Sequence, residues 1–265
     1  MSENVMKMFR LDGRVAMVTG GAQNLGLDMA AALGEAGAEL VITSREMEKA
    51  EQKAKELAQG LSVRVLPLGL DVTSEASVDA AFDKVESFYG RLDILVNNAG
   101  GGRGKERFEE RPKADWDHIL ATNLTGTFLC SRRAMRIMLR RRSGCIINIA
   151  SMSGMIGRDR RVYEGSDMVP NSVDYSSAKA GVIGFTRDLA AYAGPHGIRV
   201  NAISPGGFER GQPAEFIKRY NASTMLGRMG RDGRDIKGAV VYLASEAAAY
   251  VTGHNLVVDG GFSVW

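Results

Sequence analysis

Short apolar runs alternate with helix-length segments along most of this 265-residue chain. The runs cover residues 15–19, 39–43, 63–68, 92–96, 145–150 and 199–204. Between them lie 25–35, 46–59, 74–89, 116–142 and 174–193, which have the length and apolar spacing of helices. A strand that is apolar along its whole length buries both of its faces. That arrangement belongs to a parallel sheet covered by helices on both sides. The pattern predicts an α/β fold: a single-domain, Rossmann-type, doubly wound parallel sheet of about seven strands with right-handed crossovers. The length suits one core rather than two, so residues 1–265 are expected to form one domain. Two stretches break the rhythm, 157–171 and 206–230. Long irregular segments in such a domain are usually binding loops or lids.

Charge and composition exclude several classes. Net charge is +3, although arginines outnumber lysines 24 to 10. A nucleic-acid binder carries a larger excess, so neither DNA nor RNA is the expected partner. No apolar run approaches the ~20 residues of a membrane span. The first ten residues lack the apolar core of a secretion signal. Two cysteines, Cys130 and Cys145, fit a reduced, cytoplasmic location. They and the three histidines show no metal-ligand spacing, so no metal site is expected.

The first strand runs into Thr19-Gly20-Gly21-Ala22-Gln23-Asn24-Leu25-Gly26 and then a helix. Glycines let backbone N–H groups approach a pyrophosphate, and the helix N-terminus adds its positive dipole end. Gly20, Gln23, Asn24, Leu25 and Gly26 are therefore candidate cofactor-binding residues. About 18 residues further on, the second strand ends in Ser44-Arg45. An acid here would grip the ribose hydroxyls of NAD. Ser44 and Arg45 suit a 2′-phosphate instead, which favours NADP(H), with NAD(H) as the alternative.

Tyr175 and Lys179 stand four apart, which on a helix places them on one face. A free phenol has a pKa near 10, and a neighbouring ammonium is expected to lower it. Tyr175 can then serve as acid or base on a carbonyl or alcohol oxygen. Ser151 can hydrogen-bond that oxygen as charge builds on it.

These motifs, in this order, resemble the short-chain dehydrogenase/reductase family over residues 10–265. The resemblance makes Asn123, Ser151, Tyr175 and Lys179 the catalytic set, with Asn123 anchoring a water that links Lys179 to solvent. It places Asp71 and Val72 at the adenine. Asn98, Ala99 and Gly100, within Asn97-Asn98-Ala99-Gly100, line the cofactor site. Pro205, Gly206 and Phe208 fall beside the nicotinamide. It also implies a homotetramer, with the helices at 116–142 and 174–193 at one interface. Asn24 stands where the family usually has its middle glycine. Asn is the non-glycine residue that best tolerates positive φ.

Two further departures bear on the substrate. Ser151 and Tyr175 are 24 residues apart, about 11 more than in short family members. The excess, within 157–171, is expected either to shape the active-site mouth, to meet a neighbouring subunit, or to be a solvated loop. Arg210 occupies the position where the family commonly has a threonine on the nicotinamide carboxamide. Arg103, Met152, Arg158 and Arg210 are the candidate substrate contacts. They suit a polar, anionic small molecule such as a sugar acid or keto sugar. The expected activity is interconversion of a secondary alcohol and a ketone, with a flavour like gluconate 5-dehydrogenases. The rivals are a 3-oxoacyl-(acyl-carrier-protein) reductase and a catalytically inactive dinucleotide-binding regulator. A last cluster, Arg132, Arg133, Arg136 and Arg140–Arg142, contains no acid. Helix capping, solvation or a subunit contact is expected there.

Overall fold

The computed structural model describes residues 4–102 and 107–264. Seven strands form one parallel sheet: β1 (Val15–Val18), β2 (Glu39–Ser44), β3 (Val65–Gly69), β4 (Ile94–Asn97), β5 (Gly144–Ile149), β6 (Ile198–Pro205) and β7 (Asn255–Val258). Their order is β3-β2-β1-β4-β5-β6-β7. Winding runs outward from β1 to β3, then restarts beside β1 and runs the other way. The switch lies between β1 and β4, where doubly wound sheets open a crevice at the strand C-termini.

Alternation along the strands separates two cores. Ala16 and Val18 face one layer with Leu40, Ile42, Ile94 and Val96. That layer packs on α1 (Asn24–Glu35) through Met29 and Leu33, and on α8 (Lys237–Ala244) through Val240 and Leu243. Val15, Met17, Val41, Leu95 and Ile146 face the other layer. It is closed by α3 (Glu75–Tyr89) and α5 (Gly126–Arg141). α2 (Met47–Gly60) covers β2 and β3, and α6 (Val173–Ala193) lies along β5 and β6.

The segment 116–142, expected as one helix, is α4 (Lys113–Leu120) and α5 joined through a π-turn at Ala121–Thr125. The sequence also gave no warning of α8. The acid-free arginine cluster finds its acids on α3. Arg133 bonds Asp79, Asp83 and Glu86, Arg132 bonds Glu75, and Arg140 bonds Glu86. Arg132, Arg133 and Arg140 thus seam α5 to α3, while Arg142 donates to the Pro195 carbonyl.

Residues 157–171 are anchored at one point, while much of the segment is exposed. A 3₁₀ turn at Arg160–Tyr163, capped by Asp159, buries Val162. Val162 and Tyr163 join Phe216 and Tyr220 of α7 (Ala214–Ala222), with Phe262 completing the cluster. Tyr163 and Phe216 rings lie 5.1 Å apart, and Tyr220 and Phe262 stack at 4.6 Å.

Candidate active site

At the end of β1 the chain turns sharply into α1. Gly20 has φ +62° and Asn24 φ +50°, so the asparagine holds a left-handed position that glycine would otherwise fill. No side chain caps the start of α1. Its first N–H groups are therefore left for an external anion. Gly26 is held by sterics: a Cβ there would lie 2.3 Å from the Gly20 carbonyl oxygen and 2.5 Å from Asn98 Nδ2. Asn98 Nδ2 donates to the carbonyls of Thr19 (2.9 Å) and Gly20 (3.2 Å). The N–H groups of Asn98 and Ala99 both donate to Thr19 Oγ1. The end of β4 is thereby fastened to the glycine turn.

From this junction a cleft of about 630 Å³ runs along the strand ends. All the site residues expected from sequence line it except Asn123, Phe208, Met152, Arg158 and Arg103. Arg103 lies outside the described residues. The donors fit a dinucleotide. At one end are Ser44 and the exposed Arg45, which makes no ion pair among the described residues. Asp71 is there too, its carboxyl held below the usual range by hydrogen bonds from the Thr73 hydroxyl and N–H. In the middle is the uncapped helix start. At the far end are Ser151, Tyr175, Lys179, Pro205 and Gly206.

Sequence reading missed Lys49 at this cleft. It bonds Gln23 Oε1 from the first turn of α2. The signal was available in its spacing, four residues after Arg45.

Ser151 follows β5, and the turn after it packs directly on α6. A Cβ on Gly154 would lie 2.6 Å from the Lys179 carbonyl carbon. Tyr175 and Ser151 both line the far end of the cleft, and Ser151 Oγ accepts the Ser153 N–H at 3.1 Å. Ser151 also donates to Ser153 Oγ at 3.2 Å. Lys179 is 4% exposed, donates to the Ile149 carbonyl at 2.7 Å, and lies 5.6 Å from the centre of the Tyr175 ring. Burial lowers its pKa to about 8. Burial pushes the Tyr175 phenol up; the Ser151 hydroxyl and the charge of Arg158 act against that rise. Sequence reasoning assigned the downward pull to Lys179. In the structure the charged neighbour pulling on the phenol is Arg158, from the segment preceding α6.

Asn123 sits in the π-turn, fully buried. Its Nδ2 donates to the carbonyls of Gly101 and Ile119, and its Oδ1 accepts the Gly101 N–H, each at 3.0 Å. Both amide hydrogens are used, which leaves an Oδ1 lone pair for the expected water. Its evident work is to hold the loop after β4 against the π-turn. A Cβ on Gly100 would lie 2.4 Å from that Oδ1, so only glycine lets the strand end pass.

Three residues expected at the far end have partners of their own in the structure. Phe208 is 5% exposed and packs in the core with its ring over Gly230, away from the cleft. Arg210 reaches the cleft rim but is paired with Asp28 (3.7 Å) and Asp232, so its charge is already matched. Met152 accepts a contact from the Tyr220 hydroxyl at 3.6 Å and belongs to the aromatic cluster.

A family model described as enoyl-(acyl carrier protein) reductase matches residues 20–263. The 3-oxoacyl-[acyl-carrier-protein] reductase of Aquifex aeolicus is 36% identical over 95% of this chain and 98% of its own. The 5-keto-D-gluconate 5-reductase of Escherichia coli is 34% identical over 97% and 98%. Among solved structures, a gluconate 5-dehydrogenase from Burkholderia cenocepacia, in complex with NADP and tartrate, superposes with a TM-score of 0.88. It is 34% identical and covers 99% of this chain and 100% of its own.

The lowered pKa of Lys179 has a stability signature. Between about 8 and the ordinary lysine value the unfolded chain binds the proton that the folded chain has released. Stability should therefore rise with pH across that window. Lys179→Met should flatten the rise, read as the difference in urea midpoints between pH 7.5 and 9.5. Parallel curves for the two proteins would contradict it.

Proposed function

The chain belongs to the short-chain dehydrogenase/reductase family of NAD(P)-dependent oxidoreductases, and on that premise we propose that it interconverts a secondary alcohol and a ketone with NADP(H). One observation carries the reading. A single cleft holds the phosphate cradle at Gly20–Gly26 and, at its other end, the Ser151–Tyr175–Lys179 group. When bound, the dinucleotide supplies or accepts the hydride. Tyr175 moves the proton at the substrate oxygen, and Ser151 donates a hydrogen bond to the same atom. Lys179 is held by the Ile149 carbonyl beneath the tyrosine. Asn123 positions the loop that closes this corner.

NADP(H) is favoured by Arg45 and Lys49, two cations at the Ser44 end of the cleft, and by Ser44 itself standing where an NAD-selecting acid would be. The substrate in this reading is a polar carbohydrate or keto acid, as the names of the gluconate-type relatives suggest. A second reading, reduction of a 3-oxoacyl thioester, draws on the Aquifex relative and on the exposed Arg160 and Arg161, which suit an acidic carrier. The protein is taken to act in the cytoplasm, where its two buried thiols stay reduced.

A homotetramer is part of the proposal. α5 and α6 present Phe128, Phe185 and Tyr192 around an apolar groove, and Phe128 is 43% exposed. Sedimentation should give four times the mass of the chain, and a monomer would contradict the assignment.

Activity is tested with a panel of keto sugars, keto acids and acetoacetyl thioesters, read at the absorbance of the reduced cofactor. Tyr175→Phe should lower turnover by about 10³-fold while NADPH still binds. Unchanged turnover would remove the acid/base assignment. Replacing Ser44 by Asp and Arg45 by Ala together should swing preference toward NADH by at least about 10-fold, the value of a charge-assisted hydrogen bond. Equal preference before and after would refute the 2′-phosphate seat.

A further inference from the structure

Arg158 is a partly buried cation without a counter-ion among the described residues. Its Nη1 donates to the Tyr163 hydroxyl at 2.7 Å and its Nη2 to Ser153 Oγ at 2.5 Å. Both acceptors are neutral. Its Nε is buried and meets no acceptor, and the side chain makes no ion pair among the described residues. Other buried or half-buried arginines are matched. Arg111 holds Asp174, Arg133 holds three α3 carboxylates, and Arg210 holds Asp28 and Asp232. Arg199 lacks a carboxylate, but its donors go to the Leu243 and Ser245 carbonyls at the C-terminal end of α8, where the helix dipole suits a cation. A desolvated charge left without an opposite charge is costly, and it is kept where a ligand supplies one.

The location says which ligand. Ser153 Oγ, which accepts from Arg158, also accepts from Ser151 Oγ. Two hydrogen bonds in series therefore separate the guanidinium from the hydroxyl that meets the reacting oxygen. Arg158 also lines a cavity of about 720 Å³ with Ile156, Asp159, Arg160, Arg161 and Phe262, where the Asp159 carboxylate is taken up by Arg161. The seat is built. Tyr163 is fixed against Phe216, and Arg219 of α7 donates to the Arg161 carbonyl and pairs with Glu164. Arginine offers a planar fork for two carboxylate oxygens.

We propose that Arg158 receives a carboxylate of the substrate, so that the physiological pair is an oxo acid and its hydroxy acid, with the acid group within a few carbons of the carbonyl. The proposal rests on the oxidoreductase reading above and narrows its substrate. In the reduction, hydride from the reduced nicotinamide adds to the carbonyl carbon. The π-electron pair of the C=O moves to oxygen, and the Tyr175 proton joins it. The carboxylate is unchanged and stays on Arg158.

The test uses the full-length enzyme with NADPH and a series of 2-, 3- and 4-oxo acids, each paired with its methyl ester. The acid of the fitting length should exceed its ester in kcat/KM by about 100-fold. Arg158→Gln should collapse that ratio toward one, chiefly through KM of the acid, and Arg158→Lys should restore part of it. The ester rate profile of Arg158→Gln should also move to higher pH, since a cation facing Tyr175 is gone; a purely structural staple would not move it selectively. Equal kcat/KM for acids and esters in the wild-type enzyme would overturn the proposal, and that measurement needs no variant. A ratio that survives in Arg158→Gln would overturn it too. Reduction of no ketone of either kind would instead sink the oxidoreductase reading itself.

Discussion

Between β1 and β4 the sheet reverses its winding, and one asparagine side chain ties the two strand ends together. Asn98 bonds the carbonyls of Thr19 and Gly20, while Thr19 accepts two N–H groups in return. Gly26 packs so tightly on this junction that a single methyl group has no room. The knot holds the uncapped start of α1 at the lip of the crevice and sends the chain after β4 toward Asn123. The glycine cradle and the corner proposed as catalytic therefore share one frame, and preorganised groups need little rearrangement when charge develops.

Burial sets the electrostatics of that corner. It penalises the charged form of both partners, raising Tyr175 and lowering Lys179 to about 8. The balancing cation, Arg158, arrives on the segment between Ser151 and Tyr175. The extra chain length there is held by the aromatic cluster with α7. The arginine surplus is divided in the same way: one set seams α5 to α3, Arg210 ties the loop after β6 to α1, and Arg45 waits at the cleft.

Much of the fold was legible because its signals are local. Strand runs apolar on both faces require helices on both sides, and the six predicted runs all became strands within two residues of their expected limits at most ends. The glycine turn was legible because backbone approach needs missing side chains. Other features were not legible because partners distant in sequence decide them. The acids that neutralise Arg133 come 47 to 54 residues earlier, on α3. The π-turn at Ala121–Thr125 has no composition of its own and follows from burying Asn123 against Gly101. Phe208 reads as a loop residue, yet Gly230 provides a flat seat that takes it into the core.

By itself the sequence determined the sheet, the cradle at Gly20–Gly26 and the grouping of Tyr175 with Lys179, because strand alternation, turn sterics and helical spacing act over a few residues. Only the tertiary structure decided which arginine is matched by carboxylates. Arg210 and Arg158 look equivalent as letters in irregular segments. Folding gives Arg210 the carboxylates of Asp28 and Asp232, and among the described residues gives Arg158 the hydroxyls of Tyr163 and Ser153 instead. A side chain's charge is neutralised or left for a ligand by what the fold brings within a few ångströms of it, and chain spacing carries no record of that distance.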